Sequence, residues 1–143
     1  MLPALEIKNK KVKKIIVLTL SMCILTACQE SLEDQCEREC REYTEKKCPT
    51  SLDQSLRIDS MTFDRSSHTI TYHYTLLGDL DNQEVIDAGR DSFTAKLRND
   101  LKNTTSMRAY KAEGYNFSYV YYSDKEKKRC RLSVLFTEKD YKK

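Results

Sequence analysis

The sequence predicts an α+β fold: an N-terminal helix followed by ββαββ, folded as a four-stranded antiparallel sheet with a helix packed on one face. Three observations carry this. Residues 56–77 and 115–137 each alternate apolar and polar side chains around a short polar turn, the period-two pattern of hairpins. Between them Ile86, Phe93, Leu97 and Leu101 recur at helical spacing. Upstream, Leu32, Cys36, Cys40 and Tyr43 follow one another at intervals of four, four and three, which puts them on one helix face. A chain of 143 residues, 39% apolar and 33% charged, has room for one domain and enough apolar content to fold. Those figures exclude a multi-domain enzyme and a multi-span membrane protein.

The chain opens on a leader. Lys8, Lys10, Lys11, Lys13 and Lys14 face only Glu6, and Ile15 to Ala27 then carries no charge. As a helix that uncharged stretch spans about 20 Å, short of the ~30 Å hydrocarbon core of a membrane. It suits the apolar region of a signal peptide covering residues 1–27. The net charge of +3 comes from this leader; beyond it 20 basic and 21 acidic residues remain, so nothing points to nucleic acid.

The stretch ends in Leu25-Thr26-Ala27-Cys28. This resembles the lipobox of bacterial lipoproteins: a branched apolar residue three before the cysteine, with small residues beside it. The resemblance implies that Cys28 takes a diacylglycerol on its thiol, is cleaved to become residue one, and is acylated again on its new amine (a palmitate-type modification). Two or three acyl chains exceed what stable anchoring requires. Gln29 is not the aspartate that, in enteric members of that family, favours the inner membrane. The expected location is therefore the cell envelope, at the outer membrane.

Residues 28–55 hold eight acidic and four basic side chains and read as an acidic, cysteine-bearing arm. Ser31 with Asp34 suits a helix start, and Pro49 a stop, giving a helix from Ser31 to about Lys47. Cys36, Cys40, Cys48 and Cys130 are the disulfide candidates of the mature chain. On a continuous helix Cys48 lies about 18 Å from Cys36 and about 12 Å from Cys40, too far to bond. This favours a long-range bond from the arm to Cys130. The alternative is chemical: Cys36, Cys40 and Cys48 as a metal or thiol-redox site.

The body, residues 56–143, follows element by element. Strands over 56–64 and 69–77 flank the turn Arg65-Ser66-Ser67-His68. Gly78 to Asn82 is a break, where Asp79 and Asp81 resemble a calcium loop only by their spacing. The helix runs to about Asn103, with Gly89 and Arg90 where its apolar stripe misses a turn. Met107 to Glu113 adds a helical turn closed by Gly114. Strands over 115–123 and 129–137 enclose the charged turn at 124–128.

Neither His68 nor His73 sits in a recognisable nucleophile pattern, and no glycine-rich phosphate loop is present. The expectation is thus a non-enzymatic, lipid-anchored module with no cofactor. Its partners would be the membrane, through its lipid, and an envelope protein or glycan. Two surfaces suggest themselves for recognition. One is tyrosine-rich: Tyr115, Tyr119, Tyr121 and Tyr122 crowd one strand, and tyrosine offers stiff contact area with a polar tip. The other is the basic hairpin of Lys125, Lys127, Lys128 and Arg129.

Overall fold

The computed structural model describes residues 30–127 and 129–142. The signal peptide, Cys28 and Lys128 lie outside the described residues. The chain divides into two units, 1–31 and 32–143, and every element below belongs to the second. No helix among the described residues is long and apolar enough to cross a membrane.

Helix α1 (Leu32–Lys47) opens on Glu33 and Asp34 and closes on Lys46 and Lys47, charges that complement its dipole. A two-residue strand β1 (Thr50–Ser51) follows, then β2 (Leu56–Asp64) and β3 (Thr69–Leu76). A short 3-10 turn (Gly78–Leu80) leads into α2 (Gln83–Asn103), whose N-cap Asn82 accepts from the amide of Glu84. Then come α3 (Arg108–Ala112), β4 (Asn116–Ser123), β5 (Cys130–Phe136) and α4 (Glu138–Tyr141). A capping box between Thr137 and Asp140 starts α4.

The sheet has five strands in the order β1-β2-β3-β4-β5, not four, and it is mixed. β2–β3 and β4–β5 are the expected antiparallel hairpins, but β3 and β4 pair in parallel, Thr69 opposite Asn116 through Leu76 opposite Ser123. The reason is the path of the chain. The 21 residues of α2 span about 31 Å, slightly more than an eight-residue strand at ~3.3 Å per residue. One pass of that helix returns the chain to the end where β3 began, so β4 must run with β3.

Both long helices cover the same sheet face. Cys36 and Cys40 of α1 and Leu101 of α2 share one core with Ile70, Phe117 and Phe136. The helix face read from Leu32, Cys36 and Cys40 packs on the sheet, so α1 belongs to the domain rather than to a separate arm ending at residue 55. Thr44 pins it: its hydroxyl accepts from the Met61 amide and donates to the Met61 carbonyl, both at 2.9 Å. Its acidic first turns meet the β2–β3 turn, where Arg65 pairs with Glu33, Asp34 and Glu37 and His68 pairs with Glu33. His68 holds a φ of 48°, the left-handed geometry this tight turn needs.

The far end of the sheet is held by a buried ion pair. A bulge in β5 leaves Arg131 without a partner opposite it on β4 and turns its side chain inward onto Asp81, which is fully buried, at 3.1 Å. Asp81 also accepts from the hydroxyl of Ser123 and the amide of Lys125, both at 2.8 Å. Burial pushes the Asp81 carboxyl upward, but these three donors outweigh it and hold the group below the usual aspartate range.

Two outcomes follow. Phe117, fully buried beneath both helices, should cost about 3–5 kcal/mol when cut to alanine, read from urea denaturation; a loss below ~1 kcal/mol would place it outside the core. Because the folded pKa of Asp81 lies below its unfolded value, the stability it contributes is complete at neutral pH. That contribution is lost as pH falls through the lowered pKa. Asp81→Asn should therefore lower the neutral melting temperature and shrink the gap between melting curves at neutral pH and near pH 3; an unchanged gap refutes the assignment.

Candidate functional site

An apolar cleft opens between the first half of α2 and the far end of the sheet. Leu56 of β2, Leu76 of β3, Tyr121 of β4 and Leu132 of β5 form its floor, while Leu80, Val85, Ile86 and Phe93 form its wall and rim. Its volume is about 470 Å³, within the range of small-molecule sites. Gly89 lies in the wall, and no atom stands within 4 Å of the position a Cβ would take there. Lys96 reaches the mouth, its ammonium paired with Asp100 at 2.6 Å. Carbon thus lines the interior and one cation stands at the opening, an arrangement suited to an amphiphile with an anionic head. The sequence carried a trace of it: Gly89, in the turn that the apolar stripe of the helix misses, lines the cleft.

The tyrosines of this strand do not share one exposed face. Tyr119 and Tyr121 share the parity of Phe117 and point at the helices, where Tyr121 is only 2% exposed. Burial pushes the Tyr119 phenol up to about 12 and Tyr121 higher still. Tyr115 is buried against Phe63, His68 and Tyr110. Alternation leaves Tyr122 on the opposite face, stacked on His73 at 6.1 Å among threonine and serine side chains. Burial lowers the His73 pKa, with Asp59 opposing.

The basic hairpin is largely engaged within the molecule. Lys125 donates to the Gly78 carbonyl at 2.9 Å, and Arg129 pairs with Glu126 at 2.6 Å. Lys127 is exposed. Asp81, read with Asp79 as a faint calcium loop, is instead occupied by Arg131, Ser123 and Lys125.

The cysteines separate into three places. Cys36 and Cys40, 1% and 3% exposed, lie side by side on α1 beneath the core. The interaction of the two thiols drives Cys36 up and holds Cys40 down, and Tyr110, in the same core cluster, donates to Glu39 at 2.7 Å. Cys40 also lines a groove to solvent between α1 and β2, with Glu37, Arg41 and Met61. Cys48 stands beside β1 at one edge of the sheet, and Cys130 is exposed on β5 at the other. Four strand spacings of ~4.8 Å, about 19 Å, exclude a bond between them. Nor does Cys48 join Cys36 and Cys40; no group of three or more metal-ligating His, Cys, Asp or Glu side chains occurs among the described residues.

The fold is similar to that of a solved Pseudomonas aeruginosa protein described as a "putative secreted protein". The TM-score is 0.62 at 14% identity, covering 80% of this chain and 100% of that one. No curated protein matches. A family profile matches residues 31–131, from the residue before α1 into β5, and the chain belongs to that family, the domain of unknown function DUF8479.

Proposed function

We propose that this is a lipid-anchored protein of the bacterial cell envelope that binds its target without transforming it, and that the cleft beneath α2 receives the apolar part of a small anionic amphiphile such as an acyl chain. The cleft carries this reading: eight apolar side chains around about 470 Å³, open to solvent, with Lys96 at the mouth. An apolar cleft open to water is costly and marks a place for a ligand. The leader and Leu25-Thr26-Ala27-Cys28 support the anchor, and the likeness to a protein described as secreted is in keeping with an extracytoplasmic setting.

The tether is short. Cys28 precedes Leu32 by four residues, at most ~14 Å of extended chain. The first turn of α1 lies at the β2–β3 turn, and the cleft lies at the opposite end of the strands. The open sheet face around Tyr122 and His73 remains the surface for a protein or glycan partner.

Mass spectrometry of protein recovered from envelope membranes should give a 116-residue chain starting at acylated Cys28, and Cys28→Ala should release it from the membrane fraction. An intact Met1, or an unmodified thiol at residue 28, would overturn the anchor. For the cleft, a fluorescent long-chain fatty acid should bind saturably and be displaced by palmitate. Gly89→Leu, which fills the wall, should weaken binding at least tenfold, whereas Gly89→Ala should keep binding and raise stability by about 0.5–1 kcal/mol. Lys96→Gln should weaken the acid several-fold and leave the corresponding alcohol unchanged. Absence of saturable binding, or indifference to Gly89→Leu, would return the recognition role to the open face.

A further inference from the structure

We infer that Cys36 and Cys40 form a binding site for a single soft monovalent metal ion of the copper(I) class, held by two thiolates in the core beneath α1. The inference rests on four features. The first is spacing. α1 is one continuous helix, and side chains four residues apart on it have Cβ atoms about 5–6 Å from each other. A disulfide needs about 3.5–4.5 Å, so the pair cannot close into one without unwinding a turn. A metal bridge has no such difficulty, since two metal–sulfur bonds of ~2.3 Å span about 4.6 Å between sulfurs.

The second feature is donor type. Cys36 and Cys40, 1% and 3% exposed, lie in one buried core cluster, and Met61 and Met107 pack against it. The hydroxyl of Tyr72 donates to the Met107 sulfur at 3.7 Å, so thioether and thiol groups share one apolar surrounding. Thiolates and thioethers favour copper(I), zinc and iron–sulfur clusters, and of these copper(I) is satisfied by two sulfur ligands. Zinc wants four ligands, and among the described residues no third His, Cys, Asp or Glu joins the pair.

The third feature is charge. Binding releases one proton from each thiol and leaves a complex with one net negative charge. Tyr110 lies in the same core cluster, its hydroxyl donating to Glu39 at 2.7 Å in the metal-free protein, and is the donor group nearest to hand for that charge. The fourth is access: the groove past Glu37 and Arg41 leads from solvent to Cys40, so the ion need not open the fold to enter.

The reduced protein, handled without oxygen, should withdraw one equivalent of copper(I) from a coloured copper(I) chelator. A near-ultraviolet thiolate-to-metal band should appear, and native mass spectrometry should show the gain of one copper and loss of two protons. Bound copper should protect Cys36 and Cys40 from alkylation while leaving Cys48 and Cys130 reactive, a readout that needs no variant. Cys36→Ser and Cys40→Ser, with wild-type circular dichroism, should each weaken retention at least 100-fold; the double change at Cys48 and Cys130 should not. Retention that follows Cys48 or Cys130, zinc competing at equal concentration, or a Cys36–Cys40 disulfide found in protein taken from envelopes would overturn the assignment.

Discussion

The molecule is organised by a row of stacked tyrosines across its central pair of strands. Parallel pairing sets Tyr72 beside Tyr119 and Tyr74 beside Tyr121, with ring centroids 5.1 and 4.9 Å apart and nearly parallel planes. Phe93 of α2 meets Tyr121 edge-on and Phe136 of β5 meets Tyr119 the same way. Aromatic contacts of this kind contribute about 0.5–1.5 kcal/mol each beyond simple area burial. They also fix which sheet face the helices must cover, because no other surface offers so much apolar area.

The hydroxyls at the ends of these rings decide how that layer closes. A buried phenol must find a partner or lose its hydrogen bond to water. Tyr72 reaches the Met107 sulfur, Tyr110 donates to Glu39 at 2.7 Å, and Tyr141 donates to the Tyr115 carbonyl at 2.6 Å. Each joins a helix to a different element, so the tyrosine layer positions α1, α3 and α4 as well as the sheet. The sulfur pair lies inside this arrangement, next to Tyr110. The cleft lies where the layer runs out, past Tyr121 and toward Gly89.

The two ends of the sheet are stabilised differently. Near the β2–β3 turn, Arg65 meets three carboxylates of α1 in partly exposed pairs, which salt and water screen and which add little individually. They explain the acidic character of residues 28–55, which complements the turn it folds against. At the far end Asp81 and Arg131 are buried together, and their value lies in geometry. Removing either partner leaves a charge in the interior, so the pair holds the β4–β5 turn against the start of α2. The cleft is built on that anchored end, on elements whose positions are set independently of any occupant.

The sequence by itself determined the main elements: the hairpins over 56–77 and 115–137, the helices from Ser31 to about Lys47 and from Ile86 to about Asn103, and the parity that separates Tyr119 and Tyr121 from Tyr122. These are local properties, readable from periods of two and 3.6 residues. Parallel pairing of β3 with β4 was decided only in three dimensions, because it depends on where a 21-residue helix delivers the chain. So was the burial of Arg131, which follows the basic turn in the chain and is turned inward by a bulge. Helical spacing put Cys36 and Cys40 on one face, but their shared burial and the separation of Cys48 from Cys130 needed the strand order. The cleft needed it most: Leu56, Leu76, Phe93 and Leu132 are far apart along the chain and meet only when all four main strands and α2 are in place.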